Sequence, residues 1–130
     1  MKKHRYVLGF LFDDARERVV LLLKTHPEWQ KGWYNGLGGK IENGESPIAA
    51  MRREAIEEAN CDVKWEHYHT LSGGNYSVRC YRAFNNGALE SIIPMTDEKP
   101  LIVDLCNLPR RLVQRAYYLI MTALKDHPNE

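Results

Sequence analysis

The sequence predicts an α/β protein, a mixed β-sheet sandwiched between α-helices. Three observations predict it. Short apolar runs rich in β-formers recur along the chain, separated by polar or glycine-bearing turns. An amphipathic helix falls mid-chain, between Ser46 and Asn60. A second apolar-striped segment of helical period closes the chain, so a helix is available for each sheet face.

Tyr6 to Phe12 is an apolar run of strand length, Asp13-Asp14-Ala15-Arg16 reads as a turn, and Val19 to Leu23 is a second run. Together they predict a hairpin. Thr25 to Trp33, holding Pro27 and Gly32, reads as a loop, and Gly36-Leu37-Gly38-Gly39 as a glycine loop. Ser46 is a good N-cap and Pro47 suits the first helical position. Ile48, Met51, Ala55 and Ala59 then form one stripe, and Asn60, which tolerates the left-handed conformation, ends the helix. Val63 to Leu71 and Tyr76 to Phe84 read as strands around Ser72-Gly73-Gly74-Asn75. Asn85-Asn86-Gly87 reads as a turn, Pro94 to Pro100 as an irregular acidic loop, and Leu101 to Cys106 as a short strand. Pro109 is expected to start a last helix reaching Lys125, burying Leu112, Ala116, Leu119, Ile120 and Ala123.

The 130 residues fit one domain, 1–130, long enough to bury a core without disulfides or a structural metal. A net charge of +1 lacks the basic excess that long nucleic acids select, which leaves small anions open as ligands. Cys61, Cys80 and Cys106 are widely spaced and odd in number, and read as reduced thiols of a cytoplasmic protein. The apolar run after Met1-Lys2-Lys3-His4-Arg5 is broken by Asp13-Asp14, so it does not read as a signal peptide, and no run is long enough to span a membrane. His4, His26, His67, His69 and His127 form no recognisable metal constellation, and no paired Ser/His or Cys/His nucleophile motif appears.

The chemistry concentrates on the middle helix. Glu54, Glu57 and Glu58 stand at i, i+3 and i+4 and share a face. Like charges so placed repel by roughly 0.2–0.5 kcal/mol per pair. Anions in a last turn oppose the helix dipole by about 0.3–1 kcal/mol each. A divalent cation offsets both costs, and Mg²⁺ is commonly shared between carboxylates and substrate phosphates. The alternative is a solvated helix face with an Arg53–Glu57 pair.

Gly39, five residues, Glu45, seven residues, then Arg53-Glu54-Ala55-Ile56-Glu57-Glu58-Ala59-Asn60-Cys61 resembles the Nudix box, G-x5-E-x7-R-E-U-x-E-E-x-G-U with U bulky and apolar. The first glycine, the arginine and all four glutamates are kept; Asn60 replaces the second glycine, and Ala55 and Cys61 are smaller than the pattern's apolar residues. Trp33-Tyr34-Asn35-Gly36-Leu37-Gly38-Gly39-Lys40-Ile41 and Thr96-Asp97-Glu98 extend the resemblance to bacterial and phage MutT-like members.

The resemblance implies the Nudix α/β/α fold and a Mg²⁺-dependent hydrolase, with Mn²⁺ as a substitute, that cuts a phosphoanhydride in a nucleoside diphosphate linked to X. It implies metal ligands at the Gly38 carbonyl, Glu54, Glu57, Glu58 and Glu98, with Asp97 as the alternative to Glu98. Arg53 and Glu45 would orient those ligands, and Glu54 or Glu98 would be the base. Lys40 and Lys24 are candidate phosphate contacts, or solvated lysines. Asn35 is a candidate base reader, and Trp33, Trp29 and Tyr34 candidate stacking partners; otherwise Asn35 caps a turn and the aromatics pack the core. The favoured substrate is a nucleoside triphosphate, oxidised or not, cleaved to the monophosphate and pyrophosphate. ADP-ribose, dinucleoside polyphosphates and a non-catalytic nucleotide-binding regulator stay as alternatives, the polyphosphates through the position of Tyr76. A module binding protein or RNA through Arg110, Arg111 and Arg115 is the remaining class. The partner expected is a small nucleotide, with neither long nucleic acid nor membrane, and a homodimer is allowed.

Overall fold

The computed structural model describes residues 3–126, so Met1, Lys2 and His127 lie outside it. The elements are β1 (His4–Phe12), β2 (Arg18–Leu23), β3 (Tyr34–Asn35), β4 (Leu37–Lys40), α1 (Pro47–Ala59), β5 (Glu66–Ser72), β6 (Tyr76–Phe84), α2 (Asn86–Glu90), β7 (Lys99–Asp104) and α3 (Ala116–Ala123). Single turns of 3-10 helix occupy Glu28–Gln30 and Leu105–Asn107.

β1 is the spine of a mixed seven-stranded sheet ordered β3-β2-β1-β6-β5, with β4 also paired to β1 and β7 to β2. β1 and β6 are parallel along their whole length, from His4 opposite Tyr76 to Phe12 opposite Phe84. β4 lies antiparallel on the other side of β1, with Leu8 opposite Gly38. The expected hairpin forms at Phe12 and Val19, closed by Asp13, whose Oδ1 accepts the Glu17 and Arg18 N–H groups.

Side chains alternate across a strand, so one sequence feeds two cores. Val7 and Leu11 of β1 and Val20 and Leu22 of β2 face α1, packing on Ala50, Met51, Ala55 and Ala59. Phe10 and Phe12 of β1 and Val19 and Leu21 of β2 face α3, packing on Ala116, Leu119, Ile120 and Ala123. This is the expected α/β/α sandwich.

α1 has the expected ends. The Ser46 hydroxyl accepts the Ala49 N–H at 3.3 Å, and Asn60 sits left-handed at φ 55°. Alanine resists that conformation by about 1–2 kcal/mol. Asn60→Ala should therefore lower stability by about 1 kcal/mol in urea unfolding, and Asn60→Gly should not. The stripe is shifted: Ile48 is exposed, and Glu58 joins Ala50, Met51, Ala55 and Ala59 on the buried face.

Five local expectations change. The glycine segment is a strand, because its backbone pairs with β1. Asn85-Asn86-Gly87 leads into α2, capped by the Asn85 side chain accepting the Ala88 N–H at 2.9 Å. β5 starts at Glu66 rather than Val63, and β7 starts at Lys99, inside the expected loop. The last helix starts at Ala116, not Pro109, because the chain before it pairs with β3: Tyr34 N–H donates to Arg111 O at 2.7 Å and Val113 N–H to Tyr34 O at 2.8 Å. Arg82, buried, fastens the far end of α3. It donates to Ala123 O at 2.9 Å and Lys125 O at 2.6 Å, while its Nε holds Glu66 at 2.7 Å. A cation at the carbonyl end of a helix also suits its dipole.

Candidate active site

α1 carries its acids where the dipole disfavours them, with no acidic residue in its first turn and no basic one in its last. β4 runs beneath that last turn. The Gly38 N–H donates to Glu58 Oε1 at 2.8 Å. Gly38 has φ +153°, and a Cβ there would strike the Val7 carbonyl; at Gly39 a Cβ would fall on the Glu54 carboxylate. The two glycines thus let strand backbone lie directly against two carboxylates.

Burial, reinforced by Glu54, pushes the Glu58 carboxyl up to about 8, against the pull of the Gly38 N–H. Burial also raises Glu54, with Glu57 adding and Arg53 opposing. Arg53 ties the outer ring together. Its Nε and Nη2 fork onto Glu45 at 2.7 and 3.0 Å, its Nη1 reaches Glu57 at 3.0 Å and Glu54 at 3.5 Å, and its Nη2 donates to Lys40 O at 3.1 Å. This bidentate bond holds the Glu45 carboxyl below its usual range.

Glu98 is buried behind this group. Lys24 Nζ lies 2.9 Å from its Oε1, and the Thr25 and His26 N–H groups donate to its Oε2 at 2.8 and 3.3 Å. Burial pushes its carboxyl up, but Lys24 and the two N–H groups outweigh it and hold the carboxyl below its usual range. Asp97 is exposed and accepts from the Thr25 hydroxyl at 3.1 Å.

A cavity of about 860 Å³ opens from the carboxylates across the sheet face toward the start of α3. It collects Glu54, Glu58, Gly38, Lys24, Lys40 and Asn35. Glu57, Arg53 and Glu45 form the adjoining network, and Glu98 sits behind Lys24. Trp33 does not line the cavity, because Gly32 turns the chain at φ 82° just before it; Trp29, on the Glu28–Gln30 turn, does. Tyr34 packs in the core under α3.

Sequence reasoning missed Gln30, Gln114 and Arg115, all of which line the cavity. It placed Arg115 inside a helix, whereas the residue precedes α3 at φ 75°. The Lys24–Glu98 pair joins residues 74 apart, so no local pattern announces it.

Among the described residues, no three His, Cys, Asp or Glu side chains converge closely enough to hold an ion as placed. The donor set nevertheless fits a hard cation: all ligand candidates are oxygens, and half-buried Glu54 and buried Glu58 feel one another's charge. Among the described residues, no helix is long and apolar enough to cross a membrane.

The sequence pattern of the family described as NUDIX domain matches residues 2–100. Among solved structures, the chain is similar to the MutT NUDIX hydrolase from Burkholderia pseudomallei, with TM-score 0.79 and 16% identity over 94% of this chain and 98% of that one. It is similar to the NUDIX domain of Shewanella oneidensis NrtR complexed with ADP ribose, with TM-score 0.78 and 18% identity over 95% and 87%. It is also similar to a MutT/nudix family protein from Enterococcus faecalis, with TM-score 0.69 and 22% identity over 80% of this chain, but it spans only 44% of that protein. No curated protein matches the chain.

Proposed function

The chain belongs to the Nudix family, and from that premise we propose that residues 1–130 form one Mg²⁺-dependent hydrolase domain. Its substrate is a small nucleotide, a nucleoside triphosphate, oxidised or not, cleaved to the monophosphate and pyrophosphate. The observation that carries this reading is the placement of Glu54 and Glu58 at one end of a cavity that also holds Lys40 and Asn35.

Glu54, Glu57, Glu58 and the Gly38 carbonyl would hold the cation. A bound Mg²⁺ supplies charge neutralisation on phosphate oxygens and a more acidic water. Glu54 is the stronger choice of base, since both Glu98 oxygens already accept hydrogen bonds. The water oxygen bonds to phosphorus, the anhydride P–O bond breaks with its electron pair leaving on the departing phosphate, and Glu54 takes the water proton. Arg53 and Glu45 fix the orientation of Glu54 and Glu57. Lys40 makes no ion pair among the described residues and is free to meet a phosphate. Lys24 is neutralised by Glu98 and meets phosphate less strongly.

Phosphate release across oxidised and normal dNTPs, ADP-ribose, diadenosine tetraphosphate and capped RNA tests this. Turnover of nucleoside triphosphates should need Mg²⁺ or Mn²⁺ and rise on the alkaline side of neutrality, since ligand carboxylates must be ionised. Full turnover in excess chelator, or none with either metal, would overturn the reading.

A further inference from the structure

Three consecutive residues wrap the Glu98 carboxylate. Its Oε1 accepts the Lys24 ammonium at 2.9 Å, and its Oε2 accepts the Thr25 and His26 N–H groups at 2.8 and 3.3 Å. The Thr25 hydroxyl lies 3.4 Å from the same Oε2. A carboxylate has about four lone-pair sites, so these contacts leave it little to offer a metal. The backbones of the pair are held as well. The Lys24 N–H donates to Trp33 O at 2.8 Å and its carbonyl accepts the Gly32 N–H at 2.9 Å, while the Glu98 N–H donates to the Thr96 hydroxyl at 3.0 Å. Lys24 lines the cavity together with Glu54 and Glu58, and Glu98 does not. Burial raises both of those glutamates, and the Lys24 charge is among the influences that oppose the rise.

We infer that Lys24 is a built-in cation: its ammonium holds the place at Glu98 that a divalent ion would take, so Glu98 is no metal ligand and the metal of this site is confined to Glu54, Glu57, Glu58 and the Gly38 carbonyl. The inference rests on the metal-dependent reading above and narrows the ligand set within it. The resemblance in sequence puts Glu98 among the ligands; the packing around Glu98 does not fit that role. Mg²⁺ binds oxygen at about 2.0–2.1 Å. To reach Glu98 Oε1 it must enter space held by an ammonium 2.9 Å away, setting two cations side by side where Glu98 is 2% and Lys24 9% exposed. To reach Oε2 it must displace two backbone N–H groups. An ammonium, by contrast, supplies one positive charge at every metal concentration. Lys24 is accordingly a positioning residue. It fixes Glu98, and through Glu98 the Thr25–His26 segment whose His26 lines the cavity.

The test counts bound Mn²⁺ by electron paramagnetic resonance, with no nucleotide present, on wild type, Lys24→Met and the double variant that combines Lys24→Met with Glu98→Gln. The double variant loses one charge of each sign, so its local net charge equals that of wild type. It should match wild type in ions bound and in affinity. Lys24→Met unmasks the Glu98 carboxylate and should gain about one further Mn²⁺. If the double variant loses an ion, or at least about tenfold in affinity, Glu98 is a ligand and the inference is overturned. Lys24→Met without an added ion overturns it too, since the lysine then acts through its field alone. A measurement on wild type guards against a variant that does not fold. When Mg²⁺ is titrated and backbone amides are followed by NMR, the Gly38 N–H, bonded to Glu58, should shift severalfold further than the Thr25 and His26 N–H groups, bonded to Glu98. Equal shifts overturn the inference. If wild type binds neither ion, the metal-dependent reading falls and the inference with it. If metal binds with Glu98 among its ligands, that reading stands and only the inference falls.

Discussion

Glu58→Gln is expected to remove nearly all turnover while leaving the metal-free protein as stable as wild type or slightly more so. Gln keeps the shape and still accepts the Gly38 N–H that now bonds Glu58 Oε1. It removes a charge that burial, Glu54 and the helix dipole all disfavour, a gain of roughly 0.5–1 kcal/mol. The pH dependence follows in sign. A carboxyl raised to about 8 in the fold, from 4.5 in the open chain, contributes stability that is complete below 4.5 and lost as pH rises through 8. Metal-free wild type should thus weaken across that window and Glu58→Gln should not. Turnover should fall by at least about 10²–10³, the scale for losing one preorganised electrostatic group. Mg²⁺ should raise the melting temperature of wild type more than that of the variant. A Glu58→Gln protein that is both active and normal in its Mg²⁺ response would remove Glu58 from the reaction.

Glu98→Gln should have the largest effect on stability. Glu98 and Lys24 are almost fully enclosed, and their 2.9 Å pair ties the loop just before β7 to the end of β2. Removing only the anion leaves the Lys24 ammonium buried without a partner, at a cost of about 3–5 kcal/mol. Adding Lys24→Met to Glu98→Gln removes that charge and should recover most of the loss, because the introduced amide oxygen can still accept the Thr25 N–H. Chemical denaturation of the three proteins checks this. Near-normal stability of the single variant would show that the pair is not the anchor of this segment.

What the sequence made legible was what local chemistry settles. α1 was readable at both ends because Ser46, Pro47 and Asn60 act within a turn of themselves. The unbroken apolar runs of β1 and β2 were readable as strands because they need no distant partner. The start of α3 was not readable: Pro109 is a good helix opener, but Tyr34, some 75 residues earlier, captures the backbone of Arg111 and Val113. The glycine segment looked like a loop for the same reason, since only its register against β1 makes it a strand. Within the site, the spacing of Glu54, Glu57 and Glu58 was plain, but their inequality was not. The apolar stripe of α1 has one anomalous member, Glu58, and its burial was the signal available. The hydrogen bond from Asn35 Nδ2 to Gln30 Oε1 depends on a 3-10 turn whose residues carry no helical period.

The parallel pairing of β1 with β6 sets the order in which this chain can fold. Every residue of β1 meets one 72 positions later, from His4 with Tyr76 to Phe12 with Phe84. At ribosomal rates of about 5–20 residues per second, β1 waits about 4–14 s after emerging before its long neighbour exists. In that interval this largely apolar strand can bind only β2 and β4, and only over part of its length. Contacts this distant close slowly, because a large loop must lose its freedom before any pairing is gained. The strand at the centre of the sheet is thus among the first to be made and among the last to be enclosed, which makes the nascent chain, rather than the finished enzyme, the state most exposed to aggregation.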